Sequence, residues 1–249
     1  MKKLLSILSI CLVFVSCTST PEEVTKEAPV RIPSKELILK GTKESPIIYF
    51  EEKPFTGVSL DVHENGQLKS ECNFKDGKPD GVYKTWFENG QLKLYANSKD
   101  GEPDGLSKEW YENGQLKSEG NFKDGKPDGV YKIWFENGQL KSKGNFKDGE
   151  PDGLSKEWYE NGQLKSEGNF KDGKLDGLTK TWYGDGQLML EVNYKNDELD
   201  GLLQSWYENG QLKSEANPKD GKLDGLYKEW DEYGQLKSEK TYKNGVETN

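Results

Sequence analysis

The stretch GLSKEWYENGQLKSEGNFKDGKPD, residues 105–128, decides the fold. Leu106 to Tyr111 alternates as a strand does, and Asn113-Gly114 is the dipeptide favoured in a tight hairpin turn. Gln115 to Phe122 reads as the return strand, and Lys123 to Gly129 as a second, wider turn into the next copy. Working outward, Gly57, Gly81, Gly105, Gly129, Gly153, Gly177, Gly201 and Gly225 recur every 24 residues. Trp86, Trp110, Trp134, Trp158, Trp182, Trp206 and Trp230 keep step five residues behind, and these seven are all the tryptophan in the chain. A fixed period in this range is the signature of a repeat architecture. Two strands and two turns per unit predict an all-β chain, an elongated antiparallel meander of about eight hairpins with no room for a helix. Pro79, Pro103, Pro127 and Pro151 fall in the wider turn, where a missing N–H costs nothing.

If Asn113-Gly114 are the central turn residues, Tyr111 faces Leu116, Trp110 faces Lys117, and Lys108 opposes Glu119. Alternation then puts Leu106, Lys108 and Trp110 on one face and Tyr111, Leu116, Ser118 and Phe122 on the other. Stacked units turn these positions into rows, with tryptophan on one face and Tyr, Phe and Leu on the other. A longer period is also present. Residues 105–118 and 153–166 are identical, and 81–93 differ from 129–141 only at Thr85 versus Ile133, so a two-hairpin block has been duplicated. Apolar residues are 32% of the chain, thin for one globular core of this length but adequate for a stack whose units touch only their neighbours.

The ends differ from the array. Lys2 and Lys3 precede an apolar run, Leu4 to Val15, too short to span a bilayer, so residues 1–16 read as an export signal. The run closes on Phe14-Val15-Ser16-Cys17, which resembles a bacterial lipobox and implies lipidation at Cys17; Cys11 is the rival, and an ordinary cleaved signal is the alternative. Thr18, rather than Asp, after Cys17 implies outer-membrane sorting in a Gram-negative cell, by analogy with lipoproteins. Residues 17–40, rich in Pro, Glu, Ser and Thr, read as a flexible tether, 41–56 as a capping region and 57–246 as the repeat array. Ile47, Ile48, Tyr49, Phe50 and Phe55 are the apolar content of the cap, and Val62 stands where later units carry Trp.

Charge and composition exclude several function classes. Loss of residues 1–16 removes two lysines and no acid, moving the formal charge from -9 to -11. An acidic surface repels phosphate, and Arg31 is the only arginine, so no nucleic-acid partner is expected. After processing, Cys72 is the one thiol, in a slot held elsewhere by Gly or Ala, and reads as a small packed residue. His63 is the only histidine and sits in solvent beside the first turn. One histidine and one thiol exclude triads, Cys–His dyads and His-based metal sites, and no copy is marked as an active centre. No catalytic residue, metal or cofactor is expected. The repeated acidic turns, such as Asp124 with Asp128, could hold calcium, but Lys123 and Lys126 partly neutralise them and Asp and Gly are ordinary turn residues.

The pattern G-[LV]-x-K-x-W-[YF]-E-N-G-Q-L-K-S-E followed by N-F-K-D-G-K-x-D-G resembles the MORN repeat family, in its bacterial MORN-2 variant. Gly105, Trp110, Tyr111, Asn113, Gly114, Leu116, Phe122, Gly125 and Gly129 carry the likeness in one unit, and the match runs over about residues 48–246. The resemblance implies an open, curved single sheet of hairpins serving protein–protein or membrane-associated contact. It also brings an antitoxin-like or immunity-like label. The kinase label borne by some relatives does not transfer, because no GxxxxGK[ST] loop exists here.

The candidate binding surface is the row Trp86, Trp110, Trp134, Trp158, Trp182, Trp206 and Trp230. Such a row stacks on sugar rings or holds choline-like cations, or else serves as the apolar spine between hairpins. The leading expectation is a non-catalytic envelope lipoprotein, membrane-held through its lipid, whose array binds a protein partner, host-facing adhesion included. An envelope glycan- or choline-binding module and an antitoxin-like protein remain as alternatives.

Overall fold

The computed structural model describes residues 28–42 and 46–248. The expected signal segment, Cys11, Cys17 and the first part of the tether lie outside the described residues. Among the described residues there is a main sheet of 20 strands, with a three-stranded and a two-stranded sheet beside it. One 3-10 turn, Ser34–Glu36, is the sole helical element among them. From Gly57–Val62 to Leu236–Lys243 each long strand pairs antiparallel with the next in sequence, an open meander as the periodicity predicts.

The two turns exchange the geometries expected of them. The two-residue turn is Asp124-Gly125, between the paired Lys123 and Lys126, with φ of 48° and 78° at its central residues. Two positive φ values in succession match the right-handed twist of the flanking strands, the reason such turns favour Asp-Gly. At Asn113-Gly114 only the glycine is left-handed, with φ of 84°. There Tyr111 N–H donates to Gln115 O at 2.8 Å and Gly114 N–H to Tyr111 O at 2.9 Å, closing a three-residue loop. The asparagine is occupied otherwise. Its Oδ1 accepts from Gln115 N–H at 2.9 Å, and its Nδ2 donates to Glu136 O, one unit on, at 2.9 Å.

The longer loop shifts the first pairs. Trp110 pairs with Leu116 rather than Lys117, and Tyr111 meets Gln115 rather than Leu116. Lys117 is then an extra residue, a bulge, and beyond it Ser118 pairs with Glu109 and Glu119 with Lys108. The bulge absorbs the one-residue shift, so the expected ion pair forms, Lys108 Nζ to Glu119 Oε2 at 2.9 Å. Leu116 changes face as a result and joins Trp110, Lys108 and Leu106. A second irregularity lies between units. Gly168 pairs with Thr179 and Phe170 with Leu175, leaving Asp176, Gly177 and Leu178 opposite Asn169. Gly177 has φ of 111° there, a backbone that no L side chain adopts without strain.

Tyr111, Ser118 and Phe122 share the other face, whose packing spine is the small-residue slot. Val192 and Ala216 are each 1% exposed, and Gly120 and Gly168 are buried. Tyr131 lies over Gly120, and its ring meets Phe122 and Phe146 edge-on at 6.3 and 6.1 Å. Cys72 fills the same slot beside Tyr83, and burial pushes its thiol up to about 11. That fits a packing residue rather than a thiolate nucleophile.

Among the described residues pairing begins at Arg31, inside the segment read as a tether. Arg31–Pro33 runs parallel to Gly57–Val62 and covers the edge that the first hairpin would otherwise expose. Ile38–Gly41, Pro46–Phe50 and Lys53–Pro54 form the small sheet beside it. Ile48 N–H donates to Gly77 O at 2.8 Å, and Phe55, 4% exposed, packs between Phe50 and Phe74. Near the other end the pairing between Glu198–Trp206 and Leu212–Ala216 is cut short at Leu203–Ala216, because Pro218 stands in the Phe122 position and has no N–H to donate, and the meander then continues through Gly225–Trp230.

Candidate functional site

The repeats leave two sheet faces, and past the first unit no described element packs over either. On the tryptophan face three rows run across the strands. Nearest the Asn-Gly turns, Trp and Leu alternate as cross-strand pairs, Trp86 with Leu92 through Trp230 with Leu236. Each tryptophan is half-buried by this alternation, as a packing row requires. It does not exhaust the side chain. Among the described residues none of the seven indole N–H groups has a hydrogen-bond partner, and none is sealed from water. The middle row is polar. Lys156 pairs with Glu167 and Lys180 with Glu191, both at 2.8 Å, and Gln204 Nε2 donates to Glu215 Oε2 at 2.7 Å. The third row carries Val or Leu opposite Asn, or opposite Thr241 in the last unit, and Val130, Leu154 and Leu226 stay about 40% exposed.

The opposite face carries the residue after each tryptophan. Tyr111, Tyr159, Tyr183 and Tyr207 each donate a hydroxyl hydrogen bond to the tryptophan carbonyl of the next unit, at 2.8 to 2.9 Å. His63 does the same through Nε2, to Trp86 O at 2.9 Å, so it is a half-buried latch and not the solvated side chain expected. Phe87 and Phe135 hold this position without a hydroxyl. The bulge lysine lies over the ring. Lys93 is 5.5 Å from the Phe87 centroid, Lys141 5.6 Å from Phe135 and Lys213 5.4 Å from Tyr207. Lys117 also bonds Glu109 at 2.9 Å, which holds its ammonium above the usual lysine range.

An open groove of about 480 Å³ lies on this face, lined by Ile133, Phe135, Ser142, Glu157, Tyr159 and Lys165, with Trp158 and its neighbours at the border. It occurs where Phe135 has no hydroxyl to reach Trp158. The acidic turns border smaller hollows, one formed by Asp148, Glu150, Asp152 and Asp172 with Lys147. Among the described residues no group of three or more His, Cys, Asp or Glu side chains is placed to hold a metal ion.

One departure from the repeat escaped the sequence reading. Lys143 stands in the middle row where Glu71, Glu119, Glu167, Glu191, Glu215 and Glu239 stand in six other units and Tyr95 in the seventh. Aligning LKSKGN, residues 140–145, with LKSEGN, residues 116–121, reveals it, but only the register shows what it faces.

A scan against protein-family models matches the MORN repeat variant at residues 55–76, 79–100, 103–124, 127–148, 151–172, 175–196, 199–220 and 223–244. A search of curated proteins finds no match to the chain.

Proposed function

The chain belongs to the MORN repeat variant family, and from that membership we propose that it is a non-catalytic scaffold of the bacterial cell envelope, held by lipid at Cys17, whose array binds a protein partner. MORN repeats accord with a repeat protein used for binding or scaffolding, and the finer reading draws on one observation above others. Eight units present two long faces, each with half-exposed aromatic rows, and the described chain covers neither beyond its first unit. Wet apolar surface on this scale favours association. The groove over Phe135 and Tyr159 suits an apolar side chain of a partner, with Lys165 and Glu157 at its rim to fix orientation. The acidic balance and the apolar run ending at Cys17 support the envelope placement. A surface-exposed array with host contact is the version of this reading we favour.

The test is protease shaving of intact cells with detection of the repeat region, beside a lysed control. Loss of the repeats from intact cells is expected. Protection until lysis would place them inside and remove host contact from the reading. Crosslinking through a photoreactive residue at Phe135 should then capture one defined protein, and capture of none would count against the scaffold role itself.

A glycan-binding reading of the tryptophan face is favoured by its unbonded indole donors. It leads to a site with its own chemistry.

A further inference from the structure

We propose that Lys132, Lys143 and Lys156, framed by Trp134 and Trp158, form a binding site for an anionic glycan. This rests on the glycan reading of the tryptophan face and is independent of the protein-scaffold reading.

The register places the three lysines side by side. Lys132 pairs with Lys143, and Lys143 pairs with Lys156 across the next strand boundary. Adjacent strands lie ~4.8 Å apart, so three ammonium-bearing chains share one face across ~9.6 Å. Elsewhere along this row most lysines face an acid, Lys108 with Glu119, Lys180 with Glu191 and Lys228 with Glu239, and Lys84 and Lys108 flank the uncharged Tyr95. Like charges directly opposite are destabilising, and one Lys in place of Glu creates two such pairs at once. Lys132 finds Glu119 only at 3.9 Å, on an acid already bonded to Lys108 at 2.9 Å. Lys156 is bonded to Glu167 at 2.8 Å. Lys143 is exposed and, among the described residues, has no ion-pair partner.

The frame contains no carboxylate. On the turn side the row is Trp134, Leu140, Trp158; on the other it is Val130, Asn145, Leu154. Val130 and Leu154 are 39% and 41% exposed. The acids that reach the triplet are therefore Glu119 and Glu167 at its two ends. Net charge of the whole chain is -9, but screening at physiological salt confines its influence to about 8 Å, leaving the local lysines to set the sign at contact.

The tryptophans select the ligand class. Trp134 and Trp158 are two strands apart, ~9.6 Å. That is close to the disaccharide rise of an extended β-linked glycan, whether all β-1,4 or alternating β-1,3 and β-1,4, in which every second ring presents a similar face. Sugar rings stack on the indoles, hydroxyls accept from the free N–H groups, and carboxylate or sulfate substituents meet the lysines. An acidic peptide would use the lysines but has no rings at this spacing.

The test is titration of the repeat protein with a chondroitin sulfate oligosaccharide, a hyaluronan oligosaccharide, a neutral chito-oligosaccharide and a poly-glutamate peptide, read by tryptophan fluorescence and calorimetry. Both anionic glycans are expected to bind, and the first exceeding the second would assign sulfate over carboxylate within the same site. Lys143→Glu should weaken binding by about tenfold or more while leaving the thermal midpoint equal or higher, because it restores the alternating row. Lys93→Glu, the same charge change on the opposite face, should leave binding unchanged. Trp158→Phe should weaken it further in the Lys143→Glu background. Equal binding of neutral and anionic glycans would overturn the lysine site while sparing the broader tryptophan reading. Equal binding of poly-glutamate, or full affinity in Lys143→Glu, would overturn the proposal outright.

Discussion

The tyrosine latch between units yields a prediction of opposite sign at two neighbouring positions. Tyr159 donates to Trp182 O at 2.8 Å, whereas Phe135, one unit earlier in the same environment, has nothing to give Trp158 O. A neutral hydrogen bond of this kind nets about 0.5–1.5 kcal/mol, because water competes for both partners in the unfolded chain. Tyr159→Phe should therefore cost about 1 kcal/mol, since it frees the Trp182 carbonyl. Phe135→Tyr should gain a similar amount, since Tyr111 and Tyr159 show that the ring position reaches the carbonyl, and the groove beside Phe135 has room for the oxygen. For a chain of this length 1 kcal/mol moves the thermal midpoint by about 2–4 °C. The assay is urea and thermal unfolding followed by tryptophan fluorescence. A linear stack also splits where a unit interface weakens, so Tyr159→Phe should broaden the transition and Phe135→Tyr should sharpen it. If both variants unfold at the wild-type midpoint, the hydroxyl–carbonyl contact carries no net energy. The alternation of Tyr and Phe would then need another cause.

Three further outcomes are expected. Gly120→Ala would drive a Cβ into the Tyr131 ring, so it should destabilise by about 1–3 kcal/mol, and Tyr131→Ser, copying Ser107 and Ser155, should rescue it in a double-mutant cycle of denaturant midpoints. Gly177→Ala, at φ of 111°, should cost about 1–3 kcal/mol, whereas Gly184→Ala, with open space around its Cβ and no positive φ, should be neutral or stabilising by under ~1 kcal/mol. The Cys72 thiol, held by burial at about 11, should resist alkylation at pH 8 and react steeply only as pH approaches that value. Because its folded value lies above the ordinary thiol range, the linked stability is intact below pH 9 and is lost between there and about 11; a Cys72→Ala variant, matching Ala96, should flatten that part of the pH-stability curve.

The period, the strand content and the tryptophan row were legible because each rests on spacing alone. Turn type was not. Asn-Gly and Asp-Gly carry nearly the same local signal, and the choice between them is made by a contact 23 residues away, Asn113 Nδ2 on Glu136 O. That bond holds Asn113 in a three-residue loop, so the tight turn passes to Asp124-Gly125. The face of Leu116 was lost for the same reason, since the bulge at Lys117 follows from the longer loop. The ion pair of Lys108 with Glu119 was found because bulge and loop cancel beyond it. His63 was read as solvated because its role is defined by the tyrosines of other units, and a single histidine shows no pattern of its own.

In an array of this kind the shared residues describe the scaffold, and departures from them carry what distinguishes one surface from another. Some departures are compensated in place. Gly120, between Ser107 and Tyr131, leaves the space that the Tyr131 ring fills. Pro218 costs a ladder bond but sits buried and starts its own short pairing with Leu223. Lys143 is different. Nothing described around it offsets the two like-charge pairs it makes, although a single change to Glu would restore the alternation present in most other units. A residue that lowers stability without local compensation, on a face with free donors and wet rings, is the kind of conflict that function sustains. That ordering is testable within the molecule: Gly120→Ala should lose stability and leave anionic-glycan binding intact, whereas Lys143→Glu should lose binding and keep or gain stability. Both variants losing stability alone would make Lys143 another packing detail.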